Sequence, residues 1–153
     1  MSNNSAKLIP LASYPKSGNT WVRLFISAMQ QAGGSDDRFA DINNVKIGNQ
    51  YFTRAYLEAM TGLMVSDMRE GELSLLRERC YKSLAVGSHQ PRYVKTHDAY
   101  TRLENGKLLY GPRTVLKAVY IVRNPLDVAI SYANHSGMTL SETINHLAVD
   151  YVS

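Results

Sequence analysis

The chain of 153 residues lacks features that several classes of protein require. Cys80 is its one cysteine, so no intrachain disulfide can form and a disulfide-stabilised secreted domain is excluded. No apolar stretch approaches the roughly 18 residues of a membrane-spanning helix. The segment from Met1 to Lys7 is polar and lacks the apolar core of a signal peptide. These absences predict a cytoplasmic protein that makes no membrane contact.

Strong charge and metal-ligand patterns are also missing. The formal net charge is only +4, and lysines and arginines are scattered among acidic residues instead of forming a run. This pattern favours a small anionic ligand over nucleic acid. The four histidines and the single cysteine show no metal-ligand spacing, so we expect no metal site. With 44% apolar residues, the composition fits one globular domain.

The stretch from Ser13 to Trp21 follows a short apolar run and opens a helical pattern, so it predicts a strand-to-helix turn. Gly18 allows the backbone to approach a ligand, and the first N–H groups of the following helix attract anions. Compared with the Walker A pattern, Asn19 stands where the lysine should be and the lysine has moved back to Lys16. The loop therefore predicts an oxyanion site without the usual nucleoside-triphosphate chemistry. The alternative is an ordinary glycine-containing turn.

The sequence Y-P-K-S-G-N-T-W, residues 14 to 21, resembles the 5′-phosphosulfate motif of the cytosolic-type sulfotransferases, which use 3′-phosphoadenylyl sulfate as donor. The family usually has threonine where this chain has Asn19. The resemblance implies that the following residues bind the donor: Lys16, Ser17, Gly18, Asn19, Thr20 and Trp21. Trp21 is expected to anchor the core, with a second role against the adenine ring.

A second strand is predicted over Pro91 to His97, ending at the edge of the sheet where ligands bind in α/β folds. Its end, Lys95-Thr96-His97, resembles the K-T-H segment of the same family. The resemblance implies that His97 is the catalytic base and that Lys95 neutralises charge beside Lys16. The alternative is that His97 is an ordinary polar surface residue. Asp98 departs from the family, which often continues with leucine and proline.

A third strand is predicted over Val115 to Val122, which is rich in β-branched residues and should be buried. It leads into R-N-P-L-D-V-A-I-S-Y, which resembles the 3′-phosphate motif of the sulfotransferases. The resemblance implies that Arg123 and Ser131 hold the 3′-phosphate. The alternative is that Arg123 only pairs with Asp127.

The remaining elements are predicted from periodicity and turn signals. Pro10 should lie near the start of the first strand or at an unpaired position. The predicted elements are a strand over Leu8 to Ala12, helices over Thr20 to Met29 (stopped by Gly33-Gly34), Tyr56 to Met60 and Glu72 to Arg79, loops at 41–44 and 49–50, a hairpin at Asn105-Gly106, and a helix capped by Thr139 to Glu142.

Together these elements predict an α/β fold of P-loop type, a parallel sheet with flanking helices. The resemblance implies that residues 1–153 form one sulfotransferase domain, which corresponds to the N-terminal portion of the family fold. The family's C-terminal G-x-x-G-x-x-K loop is not present in the sequence. We therefore expect an open site, weak donor binding, slow turnover and self-association through a bare sheet edge.

The predicted activity is transfer of a sulfuryl group from 3′-phosphoadenylyl sulfate to a hydroxyl or amine of a small-molecule acceptor. His97 would take the proton of the acceptor, and Lys16 and Lys95 would neutralise developing charge. Two alternatives stay open: a nucleotide-dependent kinase, and a catalytically silent nucleotide-binding or assembly module. The sequence does not identify the acceptor.

Overall fold

The structure, a computed structural model, describes residues 7–31, 47–48, 51–86 and 90–149. In chain order its elements are β1 (Leu8–Ser13), α1 (Asn19–Gln31), α2 (Arg54–Thr61), a 3-10 turn (Val65–Asp67), α3 (Glu70–Val86), β2 (Arg92–Thr96), β3 (Val119–Ile121), α4 (Pro125–Ser136) and α5 (Leu140–Val149). No described helix is long and apolar enough to cross a membrane. The predicted loops at 41–44 and 49–50 and the glycine stop at 33–34 lie outside the described residues.

The strands form a parallel sheet in the order β2-β1-β3. The register pairs Leu8 with Arg92 on one side of β1, and Leu11 with Val119 on the other. Because parallel strands end at the same edge, the residues that follow all three strands meet there. The structure confirms the predicted α/β class, a parallel sheet flanked by helices.

Pro10 lies inside the central strand, at a place where the pairing is interrupted. The backbone N–H and C=O of Leu8 both bond to the segment around Val115. Alternation along the strand turns the nitrogen of Pro10 to the same side. Leu8 is bridged to Val115 but Leu11 to Val119, so four steps along the neighbouring segment match three along β1. This bulge removes the need for an N–H at Pro10, as the sequence predicted.

The core packs α3 against the sheet. Tyr81, with none of its surface exposed, stacks on Phe52 with ring centroids 3.9 Å apart and on Tyr110 at 5.0 Å. The buried cluster consists of Leu8, Tyr81, Ala85, Val94, Leu103, Leu109 and Tyr110. The predicted helices over Tyr56 to Met60 and Glu72 to Arg79 are both present and are longer than predicted. The core therefore holds β1 and β2 rigidly beneath their loops.

The prediction of a buried strand over Val115 to Val122 is wrong in length and in burial. Only Val119–Ile121 forms a strand, and Tyr120 and Val122 are exposed by 71% and 75%. The bulge beside Pro10 breaks the pairing of the first half. In the described part of the chain, β3 is an edge strand that pairs with β1 alone. Self-association through this edge stays a prediction.

Helix ends follow the expected chemistry. Asn124 caps α4 by accepting from the N–H of Leu126, with Pro125 at the first helical position. The capping box of α5 is confirmed: Thr139 Oγ1 accepts from the N–H of Glu142, and Glu142 Oε2 accepts from the N–H of Thr139 at 2.8 Å. The Asn124 cap fixes the start of α4 at Pro125, separated from the end of β3 at Ile121 by residues 122–124.

The turn at Asn105-Gly106 differs in detail from the predicted two-residue hairpin. The N–H of Gly106 donates to the carbonyl of Leu103, and the N–H of Leu103 donates to the carbonyl of Lys107. This is a three-residue loop with glycine at positive φ, closed by one bridge between Arg102 and Leu108. The hairpin is too short to form the expected ribbon.

The contrast between a buried residue of β1 and an exposed residue of α1 can be tested by alanine substitution. Leu11 has none of its surface exposed, whereas Phe25 is 65% exposed. We expect Leu11→Ala to lower the free energy of unfolding by about 2–5 kcal/mol, because it leaves a cavity at the centre of the sheet. Phe25→Ala should change it by less than about 0.5 kcal/mol. Urea unfolding followed by circular dichroism measures both, and equal losses would contradict the exposed position of Phe25.

Candidate active site

The phosphate loop is a tight turn between β1 and α1. The N–H of Ser17 donates to the carbonyl of Tyr14 at 3.2 Å, and Gly18 takes a φ of 98°. Lys16 has a φ of 66° and is the only non-glycine residue of the described chain in the left-handed region. A lysine in that region costs about 1–2 kcal/mol, so strain is concentrated at the loop.

Asn19 locks the two ends of this loop together. Its amide nitrogen donates to the carbonyl of Leu11 at 2.8 Å and to Ser13 Oγ at 3.1 Å. The side chain is buried, with 5% of the residue exposed. Asn19 therefore replaces the Walker lysine with an internal brace, and the cation of the loop comes from Lys16 instead.

His97 follows β2 and lies against the end of β1. Its Nδ1 is 2.7 Å from the carbonyl oxygen of Ser13 and 3.4 Å from Ser13 Oγ. A carbonyl only accepts, so Nδ1 carries the proton and Nε2 carries the lone pair. The contact gives His97 the tautomer that a general base needs. Ser13 was not predicted as a site residue, although its place at the first glycine of the Walker pattern was a usable signal.

These groups surround a cleft of about 480 Å³ at the carboxyl edge of the sheet. Every predicted site residue except Ser17 lines it. The lining residues are Pro15, Lys16, Gly18, Asn19, Thr20, Trp21, Lys95, His97, Arg123, Ser131, Tyr132 and His135. Three of them are permanent cations and none is a carboxylate, so the cleft suits a polyanion. Ser17 is buried and lies against a neighbouring apolar cleft beside Tyr120 and Leu147.

Trp21 does not anchor the core, contrary to the sequence prediction. It is 74% exposed, and Phe25 and Met29, on the same face of α1, are also exposed. The helical spacing was correct, but the core packs on other faces, so this apolar stripe points away from it. Trp21 lies at the wall of the cleft, where its ring is available to a planar ligand.

Arg123 follows β3 and reaches across to the phosphate loop. Its Nη1 donates to the carbonyl of Lys16 at 3.2 Å. Asp127 Oδ2 is 3.9 Å from its Nε, and both side chains are about half exposed, so this ion pair is weak. Arg123 thus does form the ion pair with Asp127 that was the alternative interpretation, but it also lines the cleft. Ser131 on α4 lines the same cleft.

Lys95 is held in an unfavourable environment for a cation. Partial burial, and then the positive charge of Arg23, lower the pKa of Lys95. An anion bound in the cleft would stabilise the charged form of Lys95 and so offset both effects. The environment of Lys95 therefore favours anionic ligands.

Tyr132 and His135 also line the cleft and were not predicted. His135 follows Ser131 by four residues on α4, which places both on one face of the helix. That spacing was readable in the sequence. Within the described residues, no group of three or more histidine, cysteine or acidic side chains could hold a metal ion.

Comparison with known proteins decides the family. The family model described as the sulfotransferase domain matches residues 7–149, nearly all of the chain. The chain belongs to the sulfotransferase family. Searches of curated proteins and of solved structures found no similar protein. The family match implies that this sulfotransferase domain moves sulfuryl groups, and 3′-phosphoadenylyl sulfate is the general donor of the family.

The strained backbone of Lys16 in this sulfotransferase domain gives a paired prediction. Lys16→Gly and Lys16→Ala both remove the ammonium group. Both should therefore weaken binding of adenosine 3′,5′-bisphosphate, the nucleotide that remains when the general donor of the family loses its sulfuryl group. Only glycine adopts the positive φ without strain. The free energy of unfolding of Lys16→Gly should therefore exceed that of Lys16→Ala by about 1 kcal/mol. Thermal unfolding and calorimetry separate the two effects. Equal stabilities would contradict the left-handed conformation of Lys16.

Proposed function

We propose that this sulfotransferase uses 3′-phosphoadenylyl sulfate as donor and sulfates a hydroxyl or amine of a small-molecule acceptor, with His97 as general base. One observation carries the proposal: His97 and Lys95 line both the cationic cleft and a second cleft of about 190 Å³. The second cleft is lined by Phe52, Arg77 and Asp98 as well. His97 thus stands between a polyanion site and a smaller site that suits an acceptor.

The donor side of the site is argued from the positions of its polar groups. The 5′-phosphosulfate belongs at the amino end of α1, where Gly18 and Thr20 present the loop backbone and Lys16 supplies charge. The 3′-phosphate belongs between Arg123 and Ser131. The exposed ring of Trp21 then serves the adenine. The cleft volume of about 480 Å³ lies within the usual range for ligand sites.

The chemistry follows from the tautomer of His97. The lone pair of Nε2 takes the proton of the acceptor as its oxygen or nitrogen bonds to sulfur. The bond from sulfur to the bridging oxygen of the 5′-phosphate breaks, and adenosine 3′,5′-bisphosphate leaves. Lys16 and Lys95 neutralise the charge that builds on the bridging oxygen and the sulfuryl oxygens. Partial desolvation of Lys95 strengthens that interaction.

The kinase alternative is less well supported by the loop. The residue in the Walker lysine position, Asn19, is buried and bonded to the carbonyl of Leu11 and to Ser13. It offers no cation to a γ-phosphate. A sulfuryl group carries less charge than a phosphoryl group, so the remaining cations suit sulfuryl transfer better.

The donor assignment is tested by nucleotide discrimination. We expect the protein to bind adenosine 3′,5′-bisphosphate about tenfold or more tightly than AMP, because Arg123 and Ser131 form charge-assisted hydrogen bonds to the added phosphate. Arg123→Ala should abolish the preference. Arg102→Ala, which removes the same charge from the hairpin, should keep it. Calorimetry measures all six affinities, and equal binding of both nucleotides by the unmodified protein would refute the assignment.

The role of His97 is tested separately from donor binding. His97→Ala should reduce sulfuryl transfer by about 10² to 10⁴, since general-base catalysis is lost. Affinity for adenosine 3′,5′-bisphosphate should stay within about twofold, because His97 acts on the acceptor. Transfer is measured across a panel of phenols, alcohols and amines. Undiminished transfer by the His97 variant would rule out the base assignment.

A further inference from the structure

A hydrogen-bond network closes around the two residues that flank His97. The hydroxyl of Tyr81 lies 2.8 Å from Thr96 Oγ1 and 2.9 Å from Asp98 Oδ2. The N–H of Asp98 donates to Thr96 Oγ1 at 2.9 Å, and its carbonyl accepts from the hydroxyl of Tyr110 at 3.1 Å. The chain on both sides of His97 is therefore tied to one core tyrosine.

The direction of each hydrogen bond follows from counting protons. Burial, and then the negative charge of Asp98, raise the pKa of Tyr81 far above its usual range, so its hydroxyl stays protonated. It has one proton, and the carboxylate has none to give, so Tyr81 donates to Asp98 and Thr96 donates to Tyr81. Arg77 Nη1, 3.5 Å from Asp98 Oδ1, balances the charge. The hydrogen bonds therefore run from Thr96 through Tyr81 to Asp98.

His97 needs such support because the sheet does not supply it. The pairing of β1 with β2 ends at Ala12 and Thr96, one residue before His97. The imidazole is largely exposed, and the Nδ1 contact with the Ser13 carbonyl sets its tautomer. The direction in which the chain leaves β2, through Asp98, decides whether the ring meets that carbonyl.

We propose that Tyr81, acting through Thr96 and Asp98, is the positioning residue that holds His97 against the Ser13 carbonyl and so keeps its Nε2 free of a proton. The proposal rests on the proposed function of His97 as base. It also gives a role to Asp98, the residue at which this chain departs from the family's usual leucine. The carboxylate fixes the turn after the strand instead of lining it with an apolar side chain.

The test reads the tautomer of His97 directly. Tyr81→Phe keeps the ring packed on Phe52 and Tyr110 and removes only the hydroxyl. Long-range proton–nitrogen NMR of the imidazole is recorded at alkaline pH, where the ring is neutral. We expect one Nδ1–H form in the unmodified protein and a mixture of both tautomers in the variant. A role limited to core stability would lower the unfolding temperature but leave a single tautomer.

Three further variants make the result specific. Asp98→Ala changes no side chain of the buried cluster and should also produce a tautomer mixture. Asp98→Asn keeps an acceptor for the tyrosine hydroxyl and should restore most of the single form. Tyr100→Phe makes the same chemical change at a nearby tyrosine that is 62% exposed, and should leave the spectrum unchanged.

The outcomes separate this proposal from the proposed function. A single Nδ1–H form in Tyr81→Phe overturns it, as does an Nε2–H form in the unmodified protein. If Tyr81→Phe does not fold, Asp98→Ala decides alone. Calorimetry with adenosine 3′,5′-bisphosphate runs in parallel: no binding by the unmodified protein would refute the donor assignment and leave the tautomer result standing. Tyr81 and Asp98 lie outside the donor cleft, so their variants should bind the nucleotide within about twofold of the unmodified affinity.

Discussion

The Ser13 carbonyl accepts a hydrogen bond from His97 Nδ1 at 2.7 Å, and this contact joins the phosphate loop to the second strand. Ser13 also accepts from the buried amide of Asn19 through its hydroxyl. One residue at the end of β1 therefore positions both the anion-binding turn and the proposed base. Movement of the loop would move the imidazole with it, so direct contact couples the anion-binding turn to the imidazole of His97.

Charge in the cleft is arranged without opposing carboxylates. Lys16 comes from the loop, Lys95 from β2 and Arg123 from the end of β3, so three separate strands each deliver one cation to the same edge. Two of these cations lie in unfavourable settings: Lys16 has a strained φ, and burial and then the charge of Arg23 lower the pKa of Lys95. Such a site is less stable without its anion than with it, as expected where electrostatic preorganisation serves group transfer.

Much of this arrangement was predictable from the sequence because it depends on local pattern. The phosphate loop and the ends of β2 and β3 could be placed at one sheet edge because short apolar runs lead into Gly18, His97 and Arg123. Trp21 was misplaced because spacing identifies a helical face but not what packs on it. The third strand was overestimated because apolar content does not reveal whether a strand is central or at an edge.

The brace at Asn19 and the network around Tyr81 were not predictable for a related reason. Each depends on a contact between residues far apart in sequence or on the exact direction of a polar side chain. Tyr81 and Thr96 are 15 residues apart, and nothing in either segment alone indicates the bond. The residues that line the cleft were thus easier to predict than those that hold them in place.

Pro10 also fixes the alignment of the sheet. A slide of β1 by two residues against β3 would keep every side chain on its own face, so the hydrophobic pattern alone does not prevent it. The same slide would move Pro10 opposite a carbonyl that needs an N–H donor, and that carbonyl would lose its hydrogen bond. The absence of an N–H at Pro10 therefore helps to fix the register of β1 against β3. That register aligns the ends of the two strands at the same edge of the sheet.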